Sequence, residues 1–296
     1  MADLKTVIIT WSNSWLGYET AKKIAKNKDF QIILACRNAE KAETAKTEII
    51  NETGNEKVEV FQLDTSSLES VRDFVEKFKK LNTPVSALIN NAWISGMHNG
   101  ITAEWFELVF ATNYLWHTLL TLLLLPCMTD DAQIINITSD MHNPPMKFEW
   151  TEPENIAHMD ESNRSRYAYS KLWNIYFTYE LDERLRKINS KISVNAFNPG
   201  MMNTNFSGGH NSAARTMMVK LTMPERLGDL DKSSTALSEI ILNEEYHSIT
   251  WKYFDRSTNT AQSSPLSYDE NNRKNLWDKT IEWIGIDKQN TIEWII

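Results

Sequence analysis

A doubly wound α/β domain, one parallel sheet with helices on both faces, is predicted by three observations. Short β-branched runs alternate with amphipathic helical patterns over the first two-thirds of the chain, which implies parallel strands and right-handed crossovers. The runs are apolar throughout rather than every second residue, as in strands covered on both faces. Polar residues collect at the carboxyl ends of successive runs, where such sheets place ligands.

The expected strands are 6–10, 31–35, 58–63, 87–90, 133–138 and 192–197, and the helices between them are 16–26, 38–51, 67–81, 104–125 and 166–188. Ser66-Ser67-Leu68-Glu69 opens the third helix with hydroxyl and acidic groups, suited to exposed N–H groups and to the helix dipole. A helix at 232–242, a strand at 251–254 and a terminal helix at 271–284 complete the pattern. No linker or low-complexity tract divides the chain, so 1–296 is expected to form a single domain. Residues 201–230 are irregular and long for a connection and read as a substrate loop or lid. In the tail, 285–296, Thr291–Ile295 repeats the TIEWI of Thr280–Ile284. That tail is either a partner-binding segment or a helix end that packs its tryptophans on the body.

Composition bounds the function. The 296 residues are 42% hydrophobic and 24% charged, with a net charge of −8, which argues against a general nucleic-acid or anionic-membrane binder. Cys36 and Cys127 have no CxxC spacing and lie in apolar surroundings, so reduced thiols and a cytoplasmic protein are expected. The amino terminus has no signal-peptide pattern. The most apolar stretch, 115–128, is shorter than the roughly 20 residues a membrane span needs and is interrupted by His117, so a buried helix and no span are expected. His98, His117, His142, His158, His210 and His247 show no metal-ligand spacing, so no metal is expected. No G-x-S-x-G string suggests a Ser-His-Asp hydrolase.

The strongest chemical signal is Tyr167-Ala-Tyr-Ser-Lys171. Residues i and i+4 share a helix face, and an ammonium beside a phenol favours the phenolate, which makes Tyr167 a usable general acid or base. Thr138-Ser139 ends the fifth run, Asn90-Asn91-Ala92 the fourth, Asp64 the third, and Asn198-Pro199-Gly200 the sixth, while Asn113 lies in the following helix.

In these residues the chain resembles the short-chain dehydrogenase/reductase family, a Rossmann-type fold, and most of all its branch of retinol dehydrogenases and light-dependent protochlorophyllide reductases. The strings that carry the resemblance are LACRN (34–38), QLDTSSLESVRDFV (62–75), INNA (89–92), ATNYL (111–115), NITSD (136–140), YAYSKLWN (167–174), NPGMMNT (198–204) and KYFD (252–255). The resemblance implies an oxidoreductase that interconverts a carbonyl and an alcohol on a small, hydrophobic substrate. Tyr167 would exchange a proton with the substrate oxygen, Lys171 would bind the nicotinamide ribose, Ser139 would hold the substrate oxygen and Asn113 would keep a water in a proton relay. Thr10, Ser12, Asn13, Leu16 and Gly17 would form the phosphate turn. Asp64 would lie by the adenine, Asn90 and Ala92 by the cofactor, and Pro199 and Gly200 by the nicotinamide. Arg37 and Asn38 follow the second run where an NAD site has an acid, and an arginine there accommodates a 2′-phosphate, so NADP(H) is the expected cofactor. Pairing as a homodimer stays open.

One feature departs from the family. Its phosphate turn is T-G-x-x-x-G-x-G; this chain reads Thr10-Trp11-Ser12-Asn13-Ser14-Trp15-Leu16-Gly17. Trp93 follows Asn90-Asn91-Ala92 where the family has glycine; Trp116, Trp105 and Trp251 look similar. Glycine serves there for unusual φ and close approach to pyrophosphate. Three accounts stay open: a rearranged turn that binds cofactor, a cofactor-impaired non-catalytic scaffold of the same fold, or an altered sequence, engineered or misread.

Overall fold

Seven parallel strands build the sheet in the computed structural model, which describes residues 4–144, 148–158, 165–201, 220–292 and 295–296. They are β1 (Lys5–Thr10), β2 (Phe30–Cys36), β3 (Val58–Gln62), β4 (Val85–Asn90), β5 (Met128–Ile137), β6 (Ser193–Asn198) and β7 (Lys252–Asp255). An eighth strand, β8 (Thr260–Ala261), adds antiparallel to β7; two exposed residues gave no sequence signal for it. The order is β3-β2-β1-β4-β5-β6-β7-β8, and β1 through β7 pair in parallel. The doubly wound sheet is therefore the one the sequence predicts, and its direction of winding reverses between β1 and β4.

Alternate strand residues feed two cores. On one face Val7, Ile9, Ile32, Leu34, Ala87 and Ile135 pack against α1 (Trp15–Ala25), α2 (Ala39–Thr53) and the later helix Leu230–Leu242. On the other, Ile8, Ile33, Leu88, Ile134 and Val194 pack against α3 (Leu68–Lys79), α4 (108–124) and α5 (Arg166–Lys187). Two later helices are α6, Leu230–Leu242, and α7, Glu270–Ile284. Ser67 caps α3 by accepting from Ser70 N, as its sequence predicts.

α4 corrects two expectations. It starts at Leu108, not 104, because the Glu107 carboxylate accepts from Phe110 N and so ends the preceding loop. It comprises Leu108–Phe110, a π segment Ala111–Leu115 and Trp116–Leu124. With its 3-10 end, Leu108–Cys127 is 20 residues and apolar enough by length and composition to cross a membrane, against the shorter 115–128 read from sequence. The window is 94% buried inside the protein, so here it serves as a core helix. The strand expected at 251–254 begins at Lys252, because Trp251 has a φ of +59° that extended backbone does not adopt.

The tail packs on the body. Ile286 and Ile295 are buried, Thr291 donates to Leu122 O at 2.7 Å, and Arg184 donates to Ile295 O at 3.0 Å. Most of the expected lid, 202–219, lies outside the described residues. Its ends meet: Met201 N donates to Arg226 O and Gly228 N to Met201 O.

Candidate active site

The crevice opens where the sheet reverses, and a buried polar knot holds its floor. The Thr10 hydroxyl, at the end of β1, accepts from Asn91 N and Ala92 N at 2.8 Å each, just past the end of β4. Asn91 Nδ2 returns to Thr10 O at 2.9 Å and to Trp11 O at 3.2 Å. On α4, His117 Nε2 lies 3.1 Å from Thr10 Oγ1. Burial pushes the His117 imidazole down to about 3, against a weaker opposing effect of the Asn113 carbonyl, so it serves as a neutral hydrogen-bonding group. The sequence marked His117 only as a break in an apolar run; its partner is 107 residues away, so nothing local announced this role.

The turn at 11–17 keeps the form of an anion-binding loop before a helix. Ser12 is buried and donates to Ile9 O at 2.9 Å, and Leu16 anchors the first turn of α1. A Cβ on Gly17 would stand 2.7 Å from both Asn91 Nδ2 and Trp11 O, so only glycine fits. Asn13 Oδ1 is buried without a hydrogen-bond partner among the described residues, an acceptor that a ribose hydroxyl or amide N–H would satisfy.

The other expected cofactor residues divide by what they already do. Asn38 caps α2 by accepting from Lys41 N, leaving Arg37 exposed at the end of β2. Asp64 closes its own turn by accepting from Ser66 N and Oγ. Asn90 Nδ2 donates to Thr121 Oγ1 and Asn136 Oδ1, both at 2.8 Å. Gly200, with φ +76°, donates its N–H to Asn198 Oδ1; a Cβ there would meet Arg256 Nε and Gly228 at 2.7 Å. Pro199 O accepts from Ser233.

Opposite the turn stands the proton-transfer pair. Tyr167 and Lys171 lie on one face of α5, with Lys171 Nζ 5.6 Å from the Tyr167 ring centroid. Thr138 Oγ1 donates to Lys171 O at 2.8 Å, and Lys171 Nζ donates to Ile137 O at 3.1 Å, so the end of β5 sets the height of the pair. Ser139, two residues beyond that carbonyl, is half-buried and accepts from Met141 N at 3.2 Å. Asn113 sits in the π segment, a feature frequent at functional sites. Its side chain clamps Ile94 N and O and donates to Ser170 Oγ, which in turn donates to Tyr167 O. One residue before Tyr167, the buried Arg166 donates to Gly96 O, His98 O and Asn99 Oδ1, and lies 3.4 Å from buried Glu107. This anchor of the 94–99 loop escaped sequence reading because charge alone does not reveal a buried pair.

Burial alone pushes Lys171 from 10.5 down to about 7. The folded chain has therefore released a proton that the unfolded chain holds between those two values. Folding stability attributable to Lys171 is expected to rise with pH from about 7 to 10.5, because the unfolded state binds the extra proton. Denaturation midpoints of the cofactor-free chain and of Lys171→Met, measured across this range, should diverge in favour of the lysine chain as pH rises. A constant difference contradicts the buried, desolvated placement.

The tryptophans lie between these two halves. Trp11 and Trp93 have ring centroids 6.4 Å apart, Trp93 and Tyr167 5.8 Å, and Lys171 Nζ lies 5.5 Å from the Trp93 ring. Trp11 and Trp15 hold φ of +52° and +54°, a conformation that costs a non-glycine residue roughly 1–2 kcal/mol. A dinucleotide thus fits the backbone of this crevice, Gly17 and the Tyr167/Lys171 pair, and does not fit the indoles of Trp11 and Trp93.

Comparison with known proteins agrees with this geometry. Residues 5–149 match the family model described as short chain dehydrogenase. The chain is 34% identical to retinol dehydrogenase 13 of Mus musculus over 95% of its own length and 84% of that protein's. It is 30% identical to polyprenol dehydrogenase of Homo sapiens over 95% and 86% of the two lengths. Among solved structures, an uncharacterized protein from Mycobacterium Paratuberculosis superposes with a TM-score of 0.71 at 27% identity, covering 96% of this chain and 95% of that one. An actinorhodin polyketide ketoreductase solved with NADPH superposes at 0.64 with 18% identity, covering 86% and 95%.

Proposed function

Since the chain belongs to the short-chain dehydrogenase/reductase family, in its retinol dehydrogenase-like branch, we propose that it is an NADP(H)-dependent oxidoreductase interconverting a carbonyl and an alcohol. The observation that carries this reading is the Tyr167/Lys171 pair, held by β5 and α5 at the mouth of the sheet's reversal point. The dinucleotide, when bound, supplies the hydride; the protein's share is proton movement and orientation. Tyr167 exchanges a proton with the substrate oxygen, Ser139 holds that oxygen, and Lys171 sits where it biases the phenol's charge. Asn113 fixes the height of the 94 loop and of Ser170 under Tyr167. The substrate is a small hydrophobic molecule, a reading supported by relatives named for retinol and polyprenol.

The choice of NADP(H) rests on Arg37, exposed at the end of β2 with Asn38 engaged as a cap. A guanidinium there makes charge-assisted bonds to a 2′-phosphate, and losing one such bond costs about 1.5–3 kcal/mol. In the chain carrying Trp11→Gly, Trp15→Gly and Trp93→Gly, Arg37→Glu is expected to reduce the NADPH-over-NADH preference at least about tenfold, read as the ratio of kcat/KM with a series of hydrophobic aldehydes. An unchanged ratio would remove Arg37 from cofactor selection. Absence of turnover and cofactor binding, even with the crevice cleared of its indoles, favours the non-catalytic scaffold instead.

A further inference from the structure

Left-handed backbone sets four tryptophans of this chain apart. Among the described residues, seven other than glycine have positive φ: Trp11, Trp15, Asn82, Trp105, Asn189, Trp251 and Arg256. Asparagine is a usual occupant of that region; an indole, with its bulk at Cβ, is not. Tryptophan supplies 11 of 296 residues yet four of these seven, so chance placement does not account for the set. By contrast Trp173, Trp277 and Trp283 lie within helices in ordinary right-handed backbone, and the first two are buried in the core.

Packing does not repay the conformation at most of these sites. Trp105 is 76% exposed and Trp15 41% exposed. Trp11 leans on Trp93, and both occupy the crevice between the turn and Tyr167. Trp251 alone stacks well, on Tyr179 at 4.2 Å. In the same turn as Trp11 and Trp15, Gly17 leaves no space for a Cβ. Random replacement of glycine by single-base changes would spread over alanine, serine, cysteine, aspartate, glutamate, valine and arginine, with tryptophan reached from only one of the four glycine codons; here it runs to tryptophan.

We propose that glycine is the encoded residue at positions 11, 15, 93, 105 and 251, specified by UGA, a codon that one genetic code reads as tryptophan and another as glycine. Glycines such as Gly17, Gly54 and Gly200 then come from ordinary glycine codons, and Trp150, Trp173, Trp277 and Trp283 from UGG. This inference rests on backbone conformation and the occupied crevice, and is independent of the proposed activity.

Two measurements test it. Reading the gene should show UGA at positions 11, 15, 93, 105 and 251 and UGG at 150, 173, 277 and 283. Peptide mass spectrometry of the protein isolated from the organism that carries the gene should show glycine at the first five positions. UGG at any of the four left-handed positions, or tryptophan there in the natural protein, overturns the proposal. A physical control needs no natural source: the chain carrying Trp11→Gly, Trp15→Gly and Trp105→Gly should unfold at a higher temperature than the chain with tryptophan. Trp173→Gly should lower the unfolding temperature. A drop in both overturns the claim that these sites are built for glycine.

Discussion

Turnover is expected to fall by a factor of roughly 10²–10⁴ when Tyr167 is replaced by phenylalanine, the range that a positioned acid or base contributes. The ring keeps its place, because α5 and the bonds from Thr138 Oγ1 to Lys171 O and from Lys171 Nζ to Ile137 O are untouched by loss of one hydroxyl. Only the exchangeable proton is removed. Cofactor affinity should therefore be largely preserved while kcat collapses, a split that separates a chemical role from a structural one. The chain cleared of its crevice indoles is the background in which to measure this, by following reduced-nicotinamide absorbance with a hydrophobic aldehyde. Undiminished turnover in Tyr167→Phe removes the phenol from the mechanism.

The second large effect concerns affinity. Trp11→Gly, Trp15→Gly and Trp93→Gly together are expected to move NADPH binding from beyond the millimolar range to the micromolar, roughly 10³-fold or about 4 kcal/mol. Two causes act together. Substitution at 11 and 15 removes indole bulk from the turn and allows backbone N–H groups to approach the pyrophosphate. Substitution at 93 vacates the space beside Tyr167 and Lys171. Calorimetric titration of the triple variant against the unaltered chain checks it, with Trp93→Gly alone separating the two causes. Equal affinity in all three chains would show that the indoles do not block the site.

The fold was legible wherever a single physical signal dominated. β1, β2 and β4 have apolar centres and β6 is buried throughout, and each lies within a few residues of its expected place. The start of α4 was not, since Glu107 ends the loop with its carboxylate and no periodicity records that bond. Its π segment was equally silent in sequence, although it carries Asn113. Within the site, Tyr167 and Lys171 were visible because four-residue spacing is local. The Thr10–His117 contact and the Arg166–Glu107 pair were hidden because each joins residues far apart in sequence. The tryptophans were conspicuous as replacements for glycine; only backbone angles show that four of them stand in glycine conformation.

The most direct test of the whole account is the crystal structure of the Trp11→Gly, Trp15→Gly, Trp93→Gly chain grown with excess NADPH. The account predicts a dinucleotide across the carboxyl ends of β1 and β4, with its pyrophosphate over residues 11–17, its 2′-phosphate at Arg37 and its nicotinamide beside Tyr167 in the space of the Trp93 indole. A well-ordered, correctly folded chain with that crevice empty, or with the dinucleotide bound elsewhere, contradicts it.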